Sequence, residues 1–146
     1  MFKKLSVLAL IACLPMAAGA ELWKDYTPSE EITELVVVDV KSNYADDYLM
    51  QIKTTWVRAM EIQKEMGHVV DYGVWAANVS DSPNIFLTTT FKNAAAMQGS
   101  EARYDQLMAA LREAGMNEEE EDATAKGYED MREIVDYKLL RRITYK

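Results

Sequence analysis

The chain has 146 residues, 49% of them apolar and 27% charged, which suits one globular domain and excludes both a disordered tail and a pair of full-sized domains. Sixteen Lys and Arg against twenty-four Asp and Glu leave a net charge of −8, so no basic surface for nucleic-acid phosphates is expected. One Cys and one His exclude an intramolecular disulfide and an imidazole cluster for a metal, and neither metal nor cofactor is expected.

Lys3 and Lys4 precede an apolar run from Leu5 to Leu14, followed by Pro15 and the small residues Ala18-Gly19-Ala20 before Glu21. That is the order of a secretory signal peptide: a positive end held on the cytoplasmic side, a short apolar helix, a helix-breaking proline and small side chains that fit the peptidase. Residues 1–20 are therefore expected to be removed after Ala20, leaving a periplasmic or secreted protein. The apolar run is well short of the ~20 residues that a bilayer span needs, so no stable membrane span is expected. Leu10-Ile11-Ala12-Cys13 offers an alternative, a lipoprotein anchored through Cys13. Cleavage after Ala20 leaves a mature chain without cysteine, which suits an oxidising compartment.

Residues 21–31 carry Trp23, Tyr26 and Pro28 among charges without a clear period and read as an N-terminal arm. ELVVVDVK, from Glu34 to Lys41, is rich in β-branched residues and predicts a strand with Val36, Val38 and Val40 on one face and Leu35, Val37 and Asp39 on the other. A long helix should follow, capped by Asn43 and running to about Met66, with Gly67 as a left-handed stop. Its apolar stripe is Tyr48, Leu49, Ile52, Trp56, Ala59, Met60 and Met66. His68–Val79 and Ile85–Phe91 are expected to form a hairpin around Ser80–Asn84. Asn93–Met97 reads as a short helical turn, and Glu101–Ala114 as a helix with Tyr104, Leu107, Met108 and Leu111 buried and Gly115 as its stop. The acids Glu118–Asp122 look like a dipole-favoured helix start rather than a calcium loop, which would need alternating ligands and a glycine. A last strand is expected over Val135–Tyr145.

Strand, helix, strand, strand, helix, strand, with an extra helical segment before the last strand, is the ferredoxin-like βαββαβ plan of the α+β class. It predicts an antiparallel four-stranded sheet with helices on one face, in a single domain over residues 32–146. The uncovered face then needs a partner, and a second copy supplies it, so a homodimer is expected. At this point the chain resembles the dimeric α/β-barrel superfamily, which includes antibiotic-biosynthesis-type monooxygenases, haem-degrading relatives, NIPSNAP-like proteins and stress-responsive barrel proteins. The likeness runs from about Ile32 to Tyr145 and rests on element order, on the helix ending EMGHVVDYGVW, and on the passage from PNIFLTTTF into NAAAM. The resemblance implies two sheets meeting face to face, with a ligand cleft between helices and sheet in each protomer. The Asn, Trp and His constellation of haem-degrading members is not carried over.

Two residues are candidate acid–base groups, each with a structural alternative. His68 sits between Gly67 and a strand, where it is either a proton shuttle or an imidazole touching helix-end carbonyls. Asp71 shares a strand with aromatics and is either a base of raised pKa or a strand-edge carboxylate in water. Tyr48 and Trp56 on the helical stripe, with Tyr72 or Trp75, either stack on a planar apolar ligand or fill the core. Tyr72 and Trp75 are an odd number of residues apart, so only one of them can face the helices. These features leave two classes: a dimeric small-molecule-binding or interaction module of the cell envelope, or a cofactor-independent oxygenase or isomerase of the antibiotic-biosynthesis-monooxygenase type with His68 or Asp71 as base.

Overall fold

The computed structural model describes residues 19–78 and 82–146. Residues 1–18, which hold most of the expected leader and the alternative anchor Cys13, lie outside the described residues. No helix among the described residues is long and apolar enough to cross a membrane.

The chain forms β1 (Tyr26–Pro28), β2 (Ile32–Val40), α1 (Ala45–Ile52), a π-helical turn (Lys53–Val57), α2 (Arg58–Glu65), β3 (Asp71–Ala76), β4 (Ile85–Phe91), α3 (Ala94–Met97), α4 (Glu101–Glu113), α5 (Glu118–Met131), β5 (Arg132–Leu140) and β6 (Ile143–Tyr145). The main sheet has the order β3-β4-β2-β5, with every pair antiparallel. This is the ferredoxin-like α+β arrangement that the element order predicts. The predicted last strand breaks at Arg141-Arg142, and β6 pairs instead with β1 in a separate two-stranded ribbon, Tyr26 opposite Tyr145. The arm thus holds a strand that only its distant partner makes visible.

Register divides the sheet into two faces. Across the strands in the order β3, β4, β2, β5, the covered face carries Val74, Leu87, Val36 and Tyr137 in one row and Ala76, Ile85, Val38 and Ile134 in the next. The helices pack here, and the core joins Val38, Val40, Ile85 and Leu87 to Tyr48, Ile52 and Tyr128. The open face carries Trp75, Phe86, Val37 and Asp136 in one row and Gly73, Thr88, Leu35 and Lys138 in the next. The expected division of β2 into Val36, Val38 and Val40 against Leu35, Val37 and Asp39 is the observed one.

The long helix begins differently from the expectation. Asn43 lies inside a single 3-10 turn, Ser42–Tyr44, and Tyr44 occupies the cap of α1 without a side-chain bond to the helix amides. Its middle widens into the π turn, where the hydroxyls of Thr54 and Thr55 both donate to the Gln51 carbonyl at 3.0 Å. Side-chain donors compete there with the backbone ladder, a known way to perturb a helix. The stops are as predicted, since Gly67 and Gly115 adopt φ of 72° and 76°, a conformation glycine takes without strain. Asn93, Ser100 and Asn117 cap α3, α4 and α5 through their side chains.

Candidate functional site

The helix α2 ends at Glu65, and the chain turns through Gly67 so that His68 meets the layer formed by α3 and α4. A half-open cleft of about 260 Å³ lies there, lined by Gln63, His68, Phe91, Met97, Tyr104 and Leu107 among others. Arg103 borders it, its guanidinium fixed by donation to the Ala96 and Gln98 carbonyls at 2.8 and 3.0 Å. Burial first, and the Arg103 charge second, hold the His68 imidazole below its usual range. Both effects disfavour the imidazolium, so near neutral pH the ring is a neutral donor and acceptor. No side-chain hydrogen bond orients it among the described residues.

Asp71 does not share that cleft. It begins β3 in a separate opening lined by Glu61, Lys64, Glu65, Asp71 and Tyr72. Lys64 donates to it at 2.7 Å, with both groups well exposed. That hydrogen bond, with a backbone donor at Tyr72 and the Lys64 charge, lowers the Asp71 pKa. The raised pKa that a base in a half-buried strand would need is therefore not what the structure has; the partner sits on α2, seven residues away in sequence, and its ammonium favours the carboxylate.

Tyr72 is the member of its strand pair that faces the helices, in edge-to-face contact with Trp56 at 5.9 Å. Its hydroxyl reaches Glu61 at 3.4 Å and the Lys64 ammonium lies over its ring. Trp75 looks the other way. It lies on the open face, 62% exposed, its indole donating to Thr88 Oγ1 at 3.1 Å. Gly73 makes this possible, because a Cβ there would stand 2.9 Å from the Trp75 indole nitrogen. Trp56 and Trp75 therefore cannot clasp one ligand within a protomer.

Tyr48 is 1% exposed and packs edge-to-face on Tyr128 at 5.6 Å. The Arg132 guanidinium lies over both rings, 5.6 Å from Tyr48 and 5.0 Å from Tyr128. Burial raises the Tyr48 pKa against the opposing pull of Arg132. Tyr128 is held in turn by Thr55 of the π turn, hydroxyl to hydroxyl at 2.7 Å. The four residues come from two distant stretches of sequence, Tyr48–Thr55 and Tyr128–Arg132, and nothing in the sequence announces that the two meet.

The residues around His68 were equally hidden. Tyr104 was expected in the buried stripe of α4, yet it is 60% exposed because it stands at the mouth of the cleft rather than under it. Gln63, Phe91 and Met97 each belong to a different element, so only the packing of α2, β4 and α3 reveals their convergence.

No protein-family model and no curated protein matches the chain. Among solved structures it is similar to HapK from Hahella chejuensis, at 12% identity and a TM-score of 0.46 over 76% of this chain and 91% of that one. It is also similar to a dimeric protein of unknown function with a ferredoxin-like fold from Bacteroides fragilis, at 12% identity and a TM-score of 0.39 over 82% of this chain and 100% of that one. A dimeric ferredoxin-like protein from an uncultured marine organism matches at 11% identity and a TM-score of 0.34, over 82% of this chain and 96% of that one.

Proposed function

We propose that the protein is an exported homodimer that binds a small apolar or planar molecule in the cell envelope. The observation that carries this reading is the His68 cleft, where the apolar Phe91, Met97 and Leu107 surround a neutral imidazole and the Gln63 amide. An apolar lining with a few convergent polar groups is the usual make-up of a ligand site. Its volume of about 260 Å³ suits a small ligand, below the roughly 300–1,000 Å³ of sites that take drug-sized molecules. His68 and Asp71 line different openings, so these two candidates do not face one space. That favours binding over an oxygenase or isomerase that would use the two together.

The homodimer is supported by the open face. Trp75, Phe86, Val37 and Leu35 form an apolar strip there with only threonines and Gly73 between them on β3 and β4. An indole fixed beside Gly73 by its hydrogen bond to Thr88 presents a broad apolar surface at low entropic cost, as aromatic residues at interface centres do. Export rests on the order of charge, apolar run and small residues in positions 1–20.

Native mass spectrometry of the protein purified from its own source tests the reading. Twice the mass of residues 21–146, with an added small mass that is lost in His68→Ala, is expected. A bare monomer, or retention unchanged in His68→Ala, would overturn it.

A further inference from the structure

At the end of the helix layer away from His68, β5 begins with a cation, Arg132, that forms no ion pair among the described residues. Arg132 projects from the covered face, opposite Val40, and its guanidinium lies over the rings of Tyr48 and Tyr128. The ring faces are not conventional hydrogen-bond acceptors, so these contacts leave its N–H groups unmatched. A guanidinium edge carries five N–H donors, yet none donates to an acceptor and no carboxylate pairs with it among the described residues. Its Nε is shut off from solvent without a partner. An unmatched buried donor carries a penalty of about 1–3 kcal/mol, so the guanidinium keeps unused hydrogen-bonding capacity. Several other cations among the described residues also lack a carboxylate, but Arg132 is distinguished by a buried nitrogen that has no partner.

The surroundings indicate what partner suits it. Arg132 lines an opening with Tyr128, Glu129 and Ile134. Along the same face of β5 beyond it, Ile134, Tyr137 and Leu139 are 55%, 52% and 54% exposed, since the helices do not extend over this edge. A cation at one end and the exposed Ile134 and Tyr137 ring leading away from it, as far as the Glu34 carboxylate that meets the Tyr137 hydroxyl, match a molecule with an anionic head and a short apolar tail. A planar guanidinium suits a carboxylate in particular, which takes two parallel N–H bonds.

We infer that Arg132, framed by Tyr48 and Tyr128, is a binding site for a small-molecule carboxylate whose apolar body lies along Ile134 and Tyr137. Glu129 at the rim is the competing anion, and its removal strengthens binding. The site is separate from the His68 cleft, so either one stands or falls without the other.

The experiment uses octanoate as the probe and follows the Arg132 Nε–Hε resonance by 15N NMR, since the guanidinium is one delocalised group and an acceptor at its accessible nitrogens shifts that signal. A saturable shift with octanoate is expected, with 1-octanol at least about tenfold weaker because it lacks the charged fork partner. Acetate, which has the head without the tail, is expected to be weaker than octanoate as well. Arg132→Gln should abolish octanoate binding, and Arg132→Lys should weaken it while keeping the charge. Glu129→Gln, an exposed change that leaves the packing alone, should tighten it. Absence of a saturable shift, equal response to octanol, or undiminished octanoate binding in a folded Arg132→Gln would overturn the assignment. So would a loss of affinity in Glu129→Gln.

Discussion

Two nine-residue strands lie side by side in this sheet and have opposite fates. β2 and β5 pair along most of their length, and both place apolar residues on the covered face. Val38 in β2 is 0% exposed, whereas Ile134 directly opposite it is 55% exposed. The difference comes from position: β2 has a strand on each side and helices above, while β5 is an edge that the helix layer reaches only at Arg132. Burial is thus a property of the neighbours a residue acquires, and equal hydrophobicity does not imply an equal contribution to stability.

The largest expected effect sharpens that contrast directly. Val38→Asp places a carboxylate among Val40, Ile85 and Tyr48 with nothing to pair it, and a loss of about 4–5 kcal/mol or outright failure to fold is expected. Ile134→Asp should cost about 0.5 kcal/mol or less in the isolated monomer, as exposed substitutions do. Urea unfolding of the two variants measures both. A severe loss in Ile134→Asp would mean that the outer part of β5 is covered, and the two strands would then differ less than their exposure suggests.

The two tryptophans extend the contrast from strands to faces. Trp56 packs on Tyr72 beneath the helices, so Trp56→Ala should lose about 3 kcal/mol. Trp75→Glu should leave the protomer folded and halve the mass seen by light scattering at micromolar concentration, because its indole belongs to the open face. A folded Trp75→Glu variant that stays dimeric would remove the open face from the interface. Gly73→Ala probes the same surface more gently. Its new Cβ would press on the Trp75 indole and on Thr88 Oγ1, so a fold penalty near 1 kcal/mol and a shift in tryptophan emission are expected. Emission identical to that of the parent would show that the indole does not lie over Gly73.

Proton linkage separates the two acid–base candidates by smaller amounts. The folded His68 pKa lies below its usual 6.5, so the unfolded chain binds the proton more readily. Its contribution is present above 6.5 and is lost as pH falls from there through the lower folded value. His68→Gln should flatten this slope, and an NMR-titrated pKa at or above 6.5 would contradict it. Asp71 shows its effect at lower pH: its pKa is depressed below 3.8 by Lys64, so that contribution is present above 3.8 and disappears as pH falls through the folded value. Because this pair is exposed, Lys64→Ala should shift the acid-unfolding profile only slightly.

Local rules decided a large part of this protein. Alternation of β-branched residues in Val36–Val40, helical spacing of Tyr48, Ile52 and Trp56, and glycines at positions 67 and 115 are read by neighbouring residues alone, and the structure agrees with them. The odd spacing of Tyr72 and Trp75 likewise required opposite faces, which they have. What tertiary structure alone decided was every relation between distant stretches. Which of the two aromatics meets Trp56, the pairing of Tyr26 with Tyr145, the Lys64 hydrogen bond that lowers Asp71, and the cover that β5 lacks all depend on strand order and on where the helices end. The same holds for the sites. His68 and Arg132 were visible as residues, but a cleft or a lone guanidinium edge exists only where separate elements converge, and spacing along a chain carries no record of that.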